Sequence, residues 1–88
     1  MWRNKTVAVI LPTYREKNSI ARTIAEFEAN KSVDEIIVVD NNAELGTERE
    51  VKKTHATYVK EPMQGYGHAI RRGLSSTKAD LLIVSEPD

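Results

Sequence analysis

The carboxylates that most need explaining are Glu16, Asp40 and the pair Glu86 and Asp88, because each stands a short way beyond an unbroken apolar run. Asp40 directly follows Ile36 to Val39, Glu86 follows Leu81 to Val84 by one serine, and Glu16 follows Val7 to Leu11 by a short polar segment. A carboxylate at such a place can accept hydrogen bonds from ribose hydroxyls or from a base N–H. The E-x-D of Glu86-Pro87-Asp88 offers hard oxygen donors, which suit Mg2+ or Mn2+ and through them the oxygens of a diphosphate. Each carboxylate also has a plainer use. Asp40 is a good turn former. Glu16 fits an S/T-x-x-E capping box begun by Thr13, unless Asn18 or Ser19 caps the helix and leaves Glu16 in the loop.

A second group of residues lies around Gly65-Tyr66-Gly67-His68, which has the look of a phosphate-cradling loop. It does not follow the first apolar run, and no G-x-G-x-x-G does, so a dinucleotide-binding Rossmann domain is disfavoured. Arg71 or Arg72 could reach a phosphate. The plainer reading of both, and of His55 and His68, is solvated surface.

These residues need elements to carry them. The run Val7 to Leu11 is continuous rather than alternating, as in a strand buried on both faces of a parallel sheet, and the first strand is predicted over Thr6 to Leu11. Pro12 is expected to end it, since proline lacks the N–H that a ladder needs. Ile20, Ile24 and Phe27 fall at i, i+4 and i+7, one stripe of a helix ending near Asn30 to Ser32. Glu35 to Val39 reads as the second strand, stopped by Asp40, Asn41 and Asn42. Thr47 with Glu50 makes another capping-box match, opening a helix to about His55 with Glu48 and Lys52 as an i,i+4 pair. Ala56 to Lys60 is short and partly polar, an edge strand. Gly65 to Ser76 reads as a third helix with Ile70 and Leu74 inward, and Gly67 and Gly73 are expected to mark close backbone approach. Asp80 to Ser85 is the last strand.

The order βαβαβαβ with right-handed crossovers predicts an α/β, Rossmann-like three-layer sandwich: a parallel four-stranded sheet in the order 3-2-1-4 with helices on both faces. The connection reverses direction between the first and fourth strands, and such a switch point is where open α/β sheets bind ligands. The carboxyl ends of three strands would then bring Pro12 to Glu16, Asp40 to Asn42 and Glu86 to Asp88 to one rim.

Composition narrows the field. The 88 residues are too few for two domains. Lys plus Arg and Asp plus Glu both number 13, so there is no general electrostatic grip on nucleic acid or an anionic membrane. Without cysteine there is no disulfide framework or thiolate metal site, which suits a cytoplasmic location. The first residues lack a signal-peptide core, and the apolar runs fall far short of a membrane span.

Taken together, the motifs resemble the nucleotide-sugar-binding half of GT-A glycosyltransferases, specifically the large family 2 of inverting enzymes. VAVILPTYRE is similar to the family's strand ending in P-T-Y-N-E. VVDNNAELGT, Val38 to Thr47, resembles V-V-D-D-G-S-x-D-G-T. GYGHAIRRGL, Gly65 to Leu74, is similar to the G-x-G-x-A…G-L helix of polyprenyl-phosphate mannosyl- and glucosyltransferases, and LLIVSEPD stands where the family has its D-x-D. The resemblance covers Val7 to Asp88. It implies a UDP- or GDP-sugar donor and a polyprenyl-phosphate or saccharide acceptor. It also implies a nucleoside pocket lined by Pro12, Thr13, Tyr14 and Glu16, with Asp40 on the base or ribose and Asn41, Gly65 and Arg71 beside it. Asp88 with Glu86 would approach Mg2+ or Mn2+. Arg15 stands for the usual Asn, Asn41 for the second Asp, Leu45 for another, and Glu86 for Asp, departures that bear on the base, the metal and the sugar. Family members continue beyond the D-x-D into an acceptor-binding segment. Residues 1–88 are therefore expected to be the amino-terminal part of a glycosyltransferase, without turnover alone, and with an exposed edge strand that a homo-oligomer would cover. The rival expectation is a non-catalytic binding or regulatory module that keeps the fold. A nucleotidyltransferase is disfavoured, because PTYREKN supplies no Gly-rich basic signature after the first strand.

Overall fold

The computed structural model describes residues 1–14, 17–43 and 45–85, with backbone only at 17 and 18. The elements are β1 (Val7–Thr13), α1 (Lys17–Glu28), β2 (Glu35–Asp40), α2 (Thr47–Lys52), β3 (Thr57–Lys60), α3 (Tyr66–Ser75) and β4 (Leu81–Val84). The strands form one sheet in the order β3-β2-β1-β4, all parallel, as the alternation of elements predicts.

β1 is buried along its whole length, because its two faces meet different layers. Val9 and Leu11 share one face with Ile36 and Val38, and Ile20 and Ile24 of α1 and Val51 of α2 cover it. Ile10 lies on the other face with Ile37 and Val39, under Ala69 of α3. α1 thus presents the expected stripe, with Phe27 partly buried at its end.

Several local expectations need correction. β1 does not stop at Pro12; it runs on to Thr13, with Pro12 opposite Val39 and Thr13 opposite Asp40. Successive residues of a strand turn their backbone groups to opposite sides, so residues two apart face the same side. The Ile10 carbonyl accepts from Ser85 on the β4 side, so the N–H that Pro12 lacks would point to that side too. The pairing with β4 ends at Ile10 and Val84, so the ladder loses nothing there. Thr13 is accordingly no helix cap: it lies in the strand, and its hydroxyl donates to the Leu11 carbonyl at 3.3 Å. Asn18 and Ser19 lie inside α1 rather than before it.

The second capping box is also absent. Gly46, at φ 96°, is the N-cap of α2, the Thr47 hydroxyl is buried without a partner, and Glu50 pairs with Lys53 at 3.1 Å. A left-handed turn that only glycine adopts cheaply delivers the chain into the helix, and no side chain caps it. The Glu48–Lys52 pair forms as expected, at 2.7 Å.

In α3 the buried positions are Ala69 and Gly73, one residue before the expected Ile70 and Leu74, and Leu74 is exposed. The helix lies so close to the sheet that only small residues fit beneath it. A Cβ on Gly73 would stand 2.5 Å from Ile10 Cγ2, whereas one on Gly67 would meet nothing within 4 Å. Close approach therefore explains Gly73 but not Gly67. β3 and β4 are the edges; β4 leaves Leu82, Ile83 and Val84 exposed. Among the described residues no helix is long and apolar enough to cross a membrane.

Candidate functional site

At the carboxyl end of β1 a cleft of about 210 Å³ opens between two walls. Pro12, Thr13 and Tyr14 form one; Gln64, Gly65 and Tyr66 form the other; Asn41 and Ala69 close the base. Small-molecule sites commonly measure about 300–1,000 Å³, so this cleft takes part of a ligand rather than a whole one. Tyr14 and Tyr66 are exposed, one on each wall. Larger depressions lie elsewhere. One of about 550 Å³ sits at the amino ends of the strands, where Thr77 already donates to Glu35. One of about 750 Å³ lies against the charged outer face of α2. The first is at the opposite end of the sheet from the strands' carboxyl ends, where a parallel sheet presents its loops to ligands, and the second borders the loop after β2 but is lined by no strand residue.

The loop that carries the second wall is held by Asn41. Its side-chain amide donates to the carbonyls of Glu61 (2.9 Å) and Met63 (2.8 Å), and its Oδ1 accepts from the Gly65 N–H at 2.9 Å. The Asn41 backbone N–H donates to the Thr13 carbonyl at 3.0 Å. Glu61 adds a second tie. Its carboxylate accepts from the Met63 N–H and from Arg72 Nε at 3.0 Å, and these two donors hold its pKa below the usual carboxylate value.

Asp40 is placed beside the cleft but not in its lining. Its side chain turns to the α1 and α2 face, where one oxygen accepts from the Ala43 N–H at 2.8 Å and the other from the Tyr58 hydroxyl. Burial, and then this carboxylate, push the Tyr58 pKa up. The turn-forming use of Asp40 is thus realised.

Of the residues singled out from sequence, Pro12, Thr13, Tyr14, Asn41 and Gly65 come together on this cleft. Arg71 is exposed on α3 and is not part of the lining. Arg72 is the arginine that makes a tertiary contact, with Glu61. Glu16, Glu86 and Asp88 lie outside the described residues; among those described, no group of three or more His, Asp or Glu could hold a metal ion. Sequence reasoning named Tyr66 only within the glycine loop, not as a cleft residue, and passed over Glu61 and Tyr58. Tyr66 had a signal, an aromatic residue between two glycines, but the partners of Glu61 and Tyr58 are set by the tertiary fold.

The family model described as "Glycosyl transferase family 2" matches residues 8–88. The chain belongs to that family. It is similar to protein RfbJ of Shigella flexneri, with 33% identity over 88 residues, all of this chain and 68% of that one. An uncharacterized glycosyltransferase of Mycobacterium tuberculosis is 30% identical over 82 residues, 93% of this chain and 36% of that protein. Among solved structures, glucosyl-3-phosphoglycerate synthase of M. tuberculosis, in complex with Mn2+, UDP and glucosyl-3-phosphoglycerate, superposes with a TM-score of 0.86 at 26% identity. That match covers 97% of this chain and 34% of that one. Mannosyl-3-phosphoglycerate synthase of Rubrobacter xylanophilus gives 0.88 at 28% identity, covering 96% of this chain and 31% of that one. The sheet order and its helices are thus those of GT-A glycosyltransferases. The chain spans about a third of the length of these two synthases.

Proposed function

We propose that residues 1–88 form one unit, the nucleotide-sugar-binding part of an inverting family 2 glycosyltransferase. The observation that carries this reading is the cleft at the carboxyl end of β1, with Pro12 to Tyr14 on one wall and Gly65 and Tyr66 on the other. On this reading it receives the nucleoside of the donor. UDP is favoured over GDP, because the M. tuberculosis synthase was crystallised with UDP. Glu86 and Asp88 are hard oxygen donors of the type that Mg2+ and Mn2+ take, and they would hold the metal. The ion would neutralise charge on the departing nucleoside diphosphate. A hexose would pass to a polyprenyl-phosphate or saccharide acceptor in a longer protein of which these residues are the donor half, with no turnover by this half alone. On the cytoplasmic side, a second copy would cover the apolar edge formed by Leu82, Ile83 and Val84 of β4; a monodisperse monomer by light scattering would overturn that assembly.

A non-catalytic binding or regulatory module is the alternative. Its specific support is that the Asn41 amide and the Asp40 carboxylate are both engaged by protein groups. Calorimetric titration with UDP and GDP, each with and without Mn2+, separates the two. Metal-dependent binding of UDP supports the donor-binding reading. A folded sample that binds neither nucleotide refutes it.

A further inference from the structure

We propose that Asn41 is a positioning residue that ties the two walls of the nucleotide cleft together, and that it acts through the loop 61–65 rather than by touching the nucleotide. The inference rests on the donor-binding reading given above. Asn41 is buried, 5% exposed. Both N–H groups of its amide reach carbonyls, of Glu61 and Met63, and its oxygen takes the Gly65 N–H, at 2.8 to 2.9 Å throughout. A side-chain amide has two donors and one acceptor oxygen, so each of these groups is engaged within the protein. The backbone of the same residue holds Thr13 on the opposite wall. One residue thus fixes both walls, and the loop it fixes ends at Gly65, which opens α3 and leads into Tyr66.

The chemistry of the three bonds demands an amide. An aspartate here would set a carboxylate, which has no donor, against two carbonyl oxygens in a buried site. A residue that offers no hydrogen bonds would leave the Gly65 N–H and two carbonyls without their partner. Glu61 and Arg72 hold the same loop from its outer side, so loss of Asn41 loosens its inner attachment while the outer one persists.

The test compares Asn41→Asp and Asn41→Ala with Val51→Ala, a control in the core on the other face of the sheet. UDP affinity in Mn2+ and the urea midpoint are measured for each. Both Asn41 variants are expected to bind UDP about tenfold or more weakly, in line with the cost of unmatched buried polar groups, under conditions where urea titration shows them folded. Val51→Ala should lower the midpoint and leave UDP affinity unchanged. A residue with only a structural role would follow Val51, and that result overturns the proposal. Hydrogen exchange in the wild-type chain gives a second reading that needs no variant. The Gly65 amide and the Asn41 side-chain amide should both be protected, with and without UDP. Exposure of the Gly65 amide while UDP still binds overturns the clamp alone. Absence of UDP binding by the wild type, with Gly65 protected, overturns the donor-binding reading instead, and with it the effect on affinity.

Discussion

Gly67 and Gly73 lie in one helix, and replacing each by alanine should move stability in opposite directions. In a helix interior alanine is favoured over glycine by about 1 kcal/mol. At Gly67 a new methyl group meets nothing within 4 Å, so Gly67→Ala keeps that gain, reduced by the position near the helix start. At Gly73 the new Cβ would stand 2.5 Å from Ile10 Cγ2, 3.0 Å from Cδ1 and 3.2 Å from Cγ1. Ile10 cannot swing clear, because it is fully buried in the central strand and branched at Cβ. Overpacking of this kind costs about 1–3 kcal/mol; set against the propensity gain, it leaves Gly73→Ala net destabilised by up to about 2 kcal/mol, and the 2.5 Å approach puts it toward the upper end. Urea unfolding of the two variants and the wild type, fitted with a common m-value, reads the difference directly. Gly67→Ala should unfold at or above the wild-type midpoint and Gly73→Ala well below it. If Gly73→Ala proves as stable as Gly67→Ala, the account of how α3 seats on the sheet is wrong. The consequence reaches the cleft, because the same helix carries Tyr66 and Ala69 into its lining.

Acid should destabilise the chain through carboxylates whose pKa values are lowered by folding. Asp34 is held down by the amino terminus and the Val7 N–H, Asp80 by the Thr6 N–H and hydroxyl, and Glu61 by the Met63 N–H and Arg72. With folded values below the ordinary 3.8 for aspartate and 4.5 for glutamate, their stabilisation is present above those values. It is lost as the pH falls below them, through the folded values, and Asp80→Asn should flatten that part of a plot of urea midpoint against pH. Gly65→Ala should cost about 1–3 kcal/mol, because φ is +141° there and the backbone conformation is one that glycine alone adopts readily; an unchanged thermal midpoint would contradict this. Tyr58→Phe takes one donor from the buried Asp40 carboxylate and should destabilise by about 1–3 kcal/mol, read by the same unfolding assay.

Much of the architecture was legible in the chain because it follows from short-range pattern. The runs Val7 to Leu11 and Ile36 to Val39 are apolar without alternation, which requires a layer on each face of the sheet. The alternation of elements then determines the parallel order, since right-handed crossovers leave few arrangements. Pro12, Thr13, Tyr14 and Asn41 could be placed on the rim because they follow buried strands, whereas the lining role of these residues and of Gly65 came from the family resemblance and its GYGHAIRRGL block. What the sequence could not carry is which partner each polar group takes. Thr13 and Thr47 each begin an S/T-x-x-E match, yet neither caps a helix, because strand pairing claimed the first and the left-handed Gly46 replaced the second. The inward face of α3 was misplaced by one residue because helix-to-sheet distance, not hydrophobicity, selected Ala69 and Gly73 over Ile70 and Leu74. Asn41 reads as a turn residue in sequence, and only the tertiary structure brings it the carbonyls of Glu61 and Met63, 20 and 22 residues away. Hydrophobic pattern is periodic and local, so the chain displays it; hydrogen-bond partnership in a buried cleft depends on distances across the fold, which exist only once the sheet is built.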